Sequence, residues 1–355
     1  MVLDAQQVEI LSEQGRILVI QTAFPGDSIL ALPFIQEVKR MNPGRGIDVV
    51  CTPVSSEIFS CSPAVTDVFP FRKRGEHKGF GGMLRFAASL RENNYEKLYS
   101  LHRSFRTTLL VNMISAGEST GFDTAALSFL YDRRVHYAHK DHEVKRNLNL
   151  LGKYEGDSWQ IMPDLVAGRE QKGKIDKFIE GLGEGGPLIM ISPGSVWETK
   201  RYPTKSYAEV AASLISSGYR VLISGSGAER GMGDQIVRIA GDRVLNTCGD
   251  FSIIESIELM RRVALVVTND SAPTHFAMAA RVPVLTVYCS TVPEFGFHGY
   301  SHESFYISKG MNCKPCGIHG HRKCPNGSFE CGTTVHPYEV VEKVTGILKR
   351  NEKND

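Results

Sequence analysis

The chain has no apolar run near the ~20 residues that a membrane-spanning helix needs. It has no low-complexity segment, and only 2 of its residues are tryptophan. Charge of either sign is also scarce in excess. The 41 Lys and Arg against 39 Asp and Glu leave a formal net charge of +2, too little by itself to suggest nucleic acid. The amino terminus, polar and mixed in charge, lacks the basic and apolar blocks of a signal peptide. These absences point to a soluble globular protein of the cytoplasm, and 355 residues are enough for two domains with sizeable cores.

What the chain does contain is alternation. Short apolar runs at 16–20, 47–51, 65–69 and 97–101 read as strands buried on both faces. Helical periodicity falls between and after them, at 28–40, 55–60, 82–93 and 106–114. The pattern lapses into a polar, glycine-containing stretch at about 157–186 and then starts again. Strands follow at 188–192, 220–224, 244–246, 264–267 and 282–288, with helices at 207–217, 233–240, 253–262 and 337–349. This predicts an α/β protein with two domains, 1–168 and 169–355, each a Rossmann-like doubly wound parallel sheet. Two such domains facing one another place their strand carboxyl ends around one cleft, where ligands of these sheets bind. The βα loops are therefore the candidates for chemistry.

Four loops stand out. At Asn269-Asp270-Ser271-Ala272-Pro273 a β-branched strand stops and a helix of small residues, carrying His275, begins. Such a turn is either a helix cap or a phosphate site, because unpaired N–H groups and the helix dipole favour an anion there. Pro193-Gly194-Ser195 through Lys200-Arg201-Tyr202-Pro203 combines a close-approach glycine with a cation suited to a diphosphate, or is a solvated basic loop. Gly225 to Glu229 is a tight turn whose acid caps it or accepts a bond from a ribose. Phe24-Pro25-Gly26-Asp27 puts a carboxylate at a helix start, as a cap or as a general base for a hydroxyl. The amino half also carries three cationic sets: Arg72-Lys73-Arg74, His102-Arg103 with Arg106, and His142 with Arg146. A basic run is ordinarily a solvated face, but three in one domain suggest a phosphorylated or carboxylated ligand. Little aromatic interleaving makes single-stranded nucleic acid the poorer fit.

Four of the 8 cysteines cluster within 311–332, as Cys313-x-x-Cys316 followed by Cys324 and Cys331. The spacing permits a four-thiolate zinc site of structural kind. It equally describes reduced thiols in a loop, or disulfides under oxidising conditions, which a cytosolic protein disfavours.

Several of these pieces occur together in a known family. Pro25-Gly26-Asp27 with Leu32-Pro33, His102-Arg103-Ser104-x-Arg106, Gly121-Phe122 and His142-x-x-x-Arg146 lie in the amino half. Pro193-Gly194-Ser195 through Lys200-Arg201-x-Pro203 and Thr268-Asn269-Asp270-Ser271-x-x-x-His275 lie in the carboxyl half. In this order they resemble the family 9 glycosyltransferases, the lipopolysaccharide heptosyltransferases. The resemblance implies the GT-B fold, with the acceptor in the amino-terminal domain and an ADP-heptose donor in the carboxyl-terminal one. It implies inverting transfer to a lipid A-linked core acceptor at the inner face of the cytoplasmic membrane, with Asp27 as base. Ser195, Lys200, Glu229, Asn269, Asp270, Ser271, Ala272 and His275 would meet the donor. Arg72, Lys73, Arg74, His102, Arg103, Arg106, His142 and Arg146 would meet the acceptor. No Asp-x-Asp pair is placed to hold a catalytic metal, so no cofactor is expected for the chemistry itself. The chain departs from many members at Ala272-Pro273-Thr274, where proline removes a backbone donor from the turn. Two rival readings remain at this stage: a nucleotide-sugar epimerase of the same architecture, or another nucleotide-sugar or acceptor in a transferase. A zinc-dependent nucleic-acid module built on the cysteine loop is the reading outside enzymes.

Overall fold

A computed structural model describes residues 15–351. Residues 1–14, on which the signal-peptide reading rests, lie outside the described residues. Contacts divide the chain after Val166 into two units.

The first unit carries a parallel sheet of β1 (Ile17–Gln21), β2 (Ile47–Cys51), β3 (Asp67–Pro70), β4 (Lys97–Ser100), β5 (Glu118–Phe122) and β6 (Arg133–Val135). Its helices are α1 (Pro25–Met41), α2 (Ser56–Ser60), α3 (Gly79–Arg91), α4 (Phe105–Ile114) and α5 (Glu143–Leu148). The strand order is β3-β2-β1-β4-β5-β6. Ile17 registers with Ile47 on one side and Lys97 on the other. All of β1 and β2 is buried; β1 reads as an apolar run, and the one charge inside β2, Asp48, is answered by Arg16 and the Tyr95 hydroxyl. The winding reverses between β1 and β4. The loops after these two strands part there and leave a crevice beyond the strand ends.

The second unit repeats the plan with β7 (Leu188–Ser192), β8 (Arg220–Ile223), β9 (Val244–Asn246), β10 (Leu265–Asn269), β11 (Val284–Tyr288) and β12 (Ser304–Ser308). Its order is β12-β11-β10-β7-β8-β9, so its reversal falls between β7 and β10. Around the sheet lie α6 (Arg169–Gly181), α7 (Thr204–Ser216), α8 (Arg230–Ala240), α9 (Ile253–Met260), α10 (Ala272–Ala280), α11 (Glu330–Thr333) and α12 (Pro337–Asn351). Ile191, Val221, Val267 and Val287 of the strands close a core with Tyr207, Val210, Leu214 and Val344 of the helices. Among the described residues no helix is long and apolar enough to cross a membrane.

The structure differs from the sequence expectation at a few elements. Helix α1 begins at Pro25 rather than Ser28, because proline at the first position has its φ preset and Asp27 caps the turn. Strands β5, β6 and β12 went unread. They are edge or near-edge strands with polar or half-exposed residues, so none makes a continuous apolar run. Helix α6 occupies the supposed lapse; only Ile175 of it is buried, so its sequence shows little apolar periodicity.

Candidate active site

In the second unit the site forms at the reversal between β7 and β10. Asn269, the last residue of β10, is fully buried, and its side chain ties the two loops together. Nδ2 donates to the carbonyls of Pro193 (2.6 Å) and Gly194 (3.3 Å). Oδ1 accepts from the Tyr202 amide (2.8 Å) and the Tyr207 hydroxyl (2.9 Å). Two donors and two acceptor positions are thereby used, so Asn269 positions the loop and has nothing left for a ligand. The expected donor contact at this position therefore does not draw on the Asn269 side chain. Ser271 adds a bond from its hydroxyl to the Gly194 carbonyl (3.2 Å). It sits at the cap position of α10, yet its side chain makes no cap, and Ala272 opens the helix.

Next to that helix start, the Lys200 ammonium meets the Asp270 carboxylate at 2.7 Å, with both side chains largely buried. The Thr291 hydroxyl donates to the same Asp270 oxygen at 2.6 Å. An ionised carboxylate cannot itself bind phosphate, so Asp270 serves here to hold Lys200, and only the surrounding amides and Lys200 can face an anion. Lys200 ends a 3-10 turn, Glu198–Lys200, whose middle residue Thr199 is clasped by the cysteine-rich segment. The Thr199 amide donates to the His321 carbonyl (3.0 Å), and the His321 amide donates to the Thr199 hydroxyl (2.7 Å). Ser290 donates to that hydroxyl as well (3.0 Å). Gly320, with φ of 74°, packs so closely that a Cβ there would come within 2.9 Å of both the Ser290 and the Thr199 hydroxyl.

Glu229 reaches back to accept from the Ser226 amide (2.7 Å) and hydroxyl (2.8 Å), a capping box. Its other oxygen lies where a Cβ on Gly194 would fall, 1.5 Å away, which explains the glycine in Pro-Gly-Ser. Ser195 is buried and accepts from the Trp197 amide at 3.4 Å. His275 is buried on α10, and its Nδ1 has no hydrogen-bond partner among the described residues. Burial holds its imidazole down at about 4, with Asp270 pulling up and Lys200 pushing down, so the ring is neutral at neutral pH.

The first unit builds its own site at the reversal between β1 and β4. Thr22, just past β1, is the meeting point. Its hydroxyl bonds His102 Nδ1 (2.9 Å), and its carbonyl accepts from the Lys73 ammonium (3.0 Å). His102 Nδ1 also lies 2.9 Å from the Thr107 hydroxyl. Burial lowers Lys73 to about 8, with Arg106 adding to the effect. Burial likewise lowers His102 to about 4, helped by Lys73 and Arg103. Among the described residues no carboxylate pairs with Lys73, Arg103 or Arg106. Positive charge gathered without a counter-ion is a site for an anion. Asp27 lies on the same βα loop, at the third position of α1, where one carboxylate oxygen accepts from the Phe24 amide (3.1 Å). Arg72 is exposed and pairs with Glu76 at 3.1 Å, and Arg74 is exposed.

His142 and Arg146 do not join this cluster, contrary to the sequence reading. Arg146 is 2% exposed, and its guanidinium pairs with Glu143 (2.9 Å) and donates to the Tyr137 hydroxyl and the carbonyls of Ala138 and His139. His142 caps α5 by accepting from the Val144 amide and stacks on Trp159. Their spacing marks a buttress for α5. Arg103 lies over the Tyr137 ring at 3.7 Å, so the buttress supports a cation of the cluster indirectly. Thr22, Thr199, Ser290, Thr291 and Gly320 were missed in the sequence, although the three last follow strand β11 or a turn signal. The four clustered cysteines do not assemble a cage: among the described residues no group of three or more His, Cys, Asp or Glu side chains could hold a metal ion. Hydrogen bonds from the backbone amides of Phe329 and residues 326–328 hold the Cys324 thiol below its usual value.

Comparison with known proteins bears on this geometry. The family model described as glycosyltransferase family 9 (heptosyltransferase) matches residues 83–326. Lipopolysaccharide heptosyltransferase 2 of Escherichia coli K12 is 24% identical over 360 residues, covering 95% of this chain and 99% of that protein. The solved structure of E. coli ADP-heptose lps heptosyltransferase II superposes with a TM-score of 0.79 at 23% identity, over 95% of this chain and 99% of that one. E. coli heptosyltransferase WaaC with ADP-2-deoxy-2-fluoro heptose gives a TM-score of 0.69 at 20% identity, over 93% and 99%. The fold class is therefore that of the GT-B heptosyltransferases.

The Asn269 clamp predicts a stability effect separable from chemistry. Asn269→Asp keeps the shape but turns two donors into acceptors facing carbonyls, and should lower the stability of the second unit by about 2–4 kcal/mol. Urea unfolding checks this; a loss below about 0.5 kcal/mol would contradict the clamp.

Proposed function

The chain belongs to glycosyltransferase family 9, and from that premise we propose that it moves an L-glycero-D-manno-heptosyl unit from ADP-heptose to the inner core of lipopolysaccharide. It is an enzyme, a glycosyltransferase, and the nucleic-acid reading of the cysteine loop gives way to that membership. The observation that carries the proposal is the Lys200–Asp270 pair set beside the amino terminus of α10, with Gly194 and Glu229 packed next to it. A largely buried cation beside a helix amino terminus suits a diphosphate. E. coli heptosyltransferase WaaC, solved with ADP and with ADP-2-deoxy-2-fluoro heptose, shares the fold, which supports an ADP-sugar as donor.

In the proposed reaction the second unit holds the donor and the first unit the acceptor. Asp27 removes the proton from the acceptor hydroxyl as its oxygen attacks the anomeric carbon, and the bond to the diphosphate breaks with inversion. The bond from the Phe24 amide fixes the orientation of the Asp27 carboxylate. Negative charge develops on the departing ADP, and Lys200 with the amides around Ser271 and Ala272 stabilises it. Ser195, Glu229 and neutral His275 line the donor side. Lys73, Arg103 and Arg106, with Arg72, Arg74 and His102 around them, receive the phosphate or carboxylate of the core. The acceptor is lipid-linked, which places the enzyme at the inner face of the cytoplasmic membrane as a peripheral protein. The four cysteines take no part in the transfer; as placed they form no zinc cage, and a zinc that drew Cys313, Cys316, Cys324 and Cys331 together would brace the segment that clasps Thr199. Metal analysis of the purified protein reads this directly, and folded, active, metal-free protein removes zinc from the proposal.

The central experiment measures ADP release from ADP-heptose with no acceptor, with heptose-deficient core lipid A and with mono-heptosylated core lipid A. Release is expected only with acceptor, and the preferred acceptor identifies the step. Asp27→Ala should lower kcat by about 10²–10⁴, and Lys200→Met should lower kcat/KM for the donor by about 10²–10³. Turnover without acceptor would favour an epimerase or hydrolase, and absence of ADP-sugar binding would end the donor assignment.

A pH prediction follows from Lys73. With the ammonium held at about 8, its charge is lost as pH rises through that value, leaving one cation fewer for an anionic acceptor. The acceptor KM should therefore climb between about pH 7 and pH 9. Lys73→Arg, charged throughout, should flatten the climb; an unchanged profile would detach Lys73 from acceptor binding.

A further inference from the structure

Helix α3 has an outer face that its place in the first unit does not explain. Its buried side, Met83, Phe86, Ala87 and Leu90, packs into the core with Leu110, Val111 and Ile114 of α4. Its solvent side repeats apolar residues at helical spacing, Phe80, Leu84 and Ala88, where polar residues are the norm. Phe80 is 67% exposed and Leu84 43%. Neighbouring α4 opens on Phe105, itself 56% exposed. Both helices start at the carboxyl edge of the parallel sheet, so Phe80 and Phe105 project from the same edge.

The charge around this apolar strip is mostly positive, with Glu76 within it and Glu92 at the far end of the helix. From residue 72 to residue 91 there are six cations, Arg72, Lys73, Arg74, Lys78, Arg85 and Arg91. Glu76 is the sole carboxylate of that stretch, and Arg72 already holds it. Among the described residues Lys78 and Arg85 have no carboxylate partner. Arg85 and Arg91 flank the strip on the helix itself and are exposed. A second copy of the chain would bring this cationic rim against itself, at a repulsive cost. A bilayer with anionic headgroups meets both features, taking the aromatic and aliphatic side chains below the headgroups and the cations among them.

We propose that the outer face of α3, with Phe105 at its edge, docks on the anionic surface of a membrane and brings the cationic cluster of the first unit to lipid-linked acceptors. The inference rests on the reading of the acceptor as lipid-linked, yet the contact itself needs neither donor nor acceptor. Arg72, Lys73 and Arg74 of the rim also belong to the proposed acceptor set, but Phe80, Leu84 and Arg85 lie outside both proposed ligand sets.

Co-sedimentation with vesicles tests it. The full chain should bind vesicles of phosphatidylcholine with about 30% phosphatidylglycerol and leave pure phosphatidylcholine in the supernatant. Phe80→Ser combined with Leu84→Ser, and separately Arg85→Glu, should each weaken binding to the anionic vesicles, at least about tenfold for the double variant. All three positions are exposed, so the melting temperature should stay that of the wild type, and a delipidated water-soluble core acceptor should still be used at the wild-type rate. Transfer to vesicle-embedded acceptor should fall with the binding. Unchanged sedimentation in the folded variants overturns the proposal. So does a wild-type dimer that the substitutions convert to monomer, because the strip would then cover a second copy. Since vesicle binding is read without ADP-heptose, it stands or falls apart from the donor assignment.

Discussion

A buried amide at the end of a central strand ties the second unit's site together. Asn269 joins the end of β10 to the loop after β7 through three hydrogen bonds and to Tyr207 of α7 through a fourth, at the point where the winding of the sheet reverses. A reversal separates two loops, which creates the crevice but leaves its walls without the ladder that holds the strands. Something must span the gap, and a side chain with two donors and two acceptor positions does so without leaving a polar atom unsatisfied. The other features follow from that span. Gly194, drawn up to Asn269, leaves room for the Glu229 carboxylate, and the loop then runs on to Lys200 beside Asp270.

The first unit meets the same topological problem with different chemistry. Hydroxyls and an imidazole bridge its reversal, from Thr22 to His102 and Thr107. The bridge is neutral, since burial keeps His102 from taking a proton near neutral pH. The positive charge stands around the bridge, on Lys73, Arg103 and Arg106. In the second unit the cation is answered by Asp270; in the first, Lys73, Arg103 and Arg106 have no carboxylate partner among the described residues. A cation already paired with a carboxylate presents a smaller net charge to an incoming ligand and is held in one geometry. An unpaired set offers stronger attraction with less fixed geometry. That contrast fits a diphosphate bound in one pose and a larger acceptor bound by its charge.

The alternation of strands and helices was legible because the central strands are buried on both faces, so that β1, β7 and β10 each open on a run of four or three apolar residues, and β2 and β11 hold a single polar residue each, Asp48 and Thr286, among apolar ones. The edge was not legible. Strand β6 is Arg133-Arg134-Val135, with both arginines exposed, and only its pairing with β5 makes it a strand. The loops of the site were legible for the same topological reason as the fold, since strand ends are where the apolar runs stop. Individual roles were not. Arg146 looks like a surface cation until Tyr137 and Glu143 close over it, and Asn269 looks like a ligand contact until Pro193, 76 residues away, is brought against it. Side-chain partners set by tertiary contact leave no periodic trace in the chain.

The cysteine-rich segment shows how far such contacts extend the site. Its thiols make no metal cage among the described residues, but its backbone is placed with care. The amide and carbonyl of His321 both bond Thr199, the residue before Lys200. The Cys316 amide bonds the carbonyl of Ser290 (3.0 Å), whose hydroxyl reaches Thr199, while the next residue, Thr291, bonds Asp270. Lys200 and Asp270 are thus each braced from behind by the same short stretch, Ser290-Thr291, and the segment holds that stretch in turn. A cation on a flexible stem loses entropy when it is fixed, and a scaffold that has already fixed its backbone and its counter-ion lowers what remains to be lost on binding. The segment can therefore bear on diphosphate binding through backbone position alone, whatever its sulfurs do.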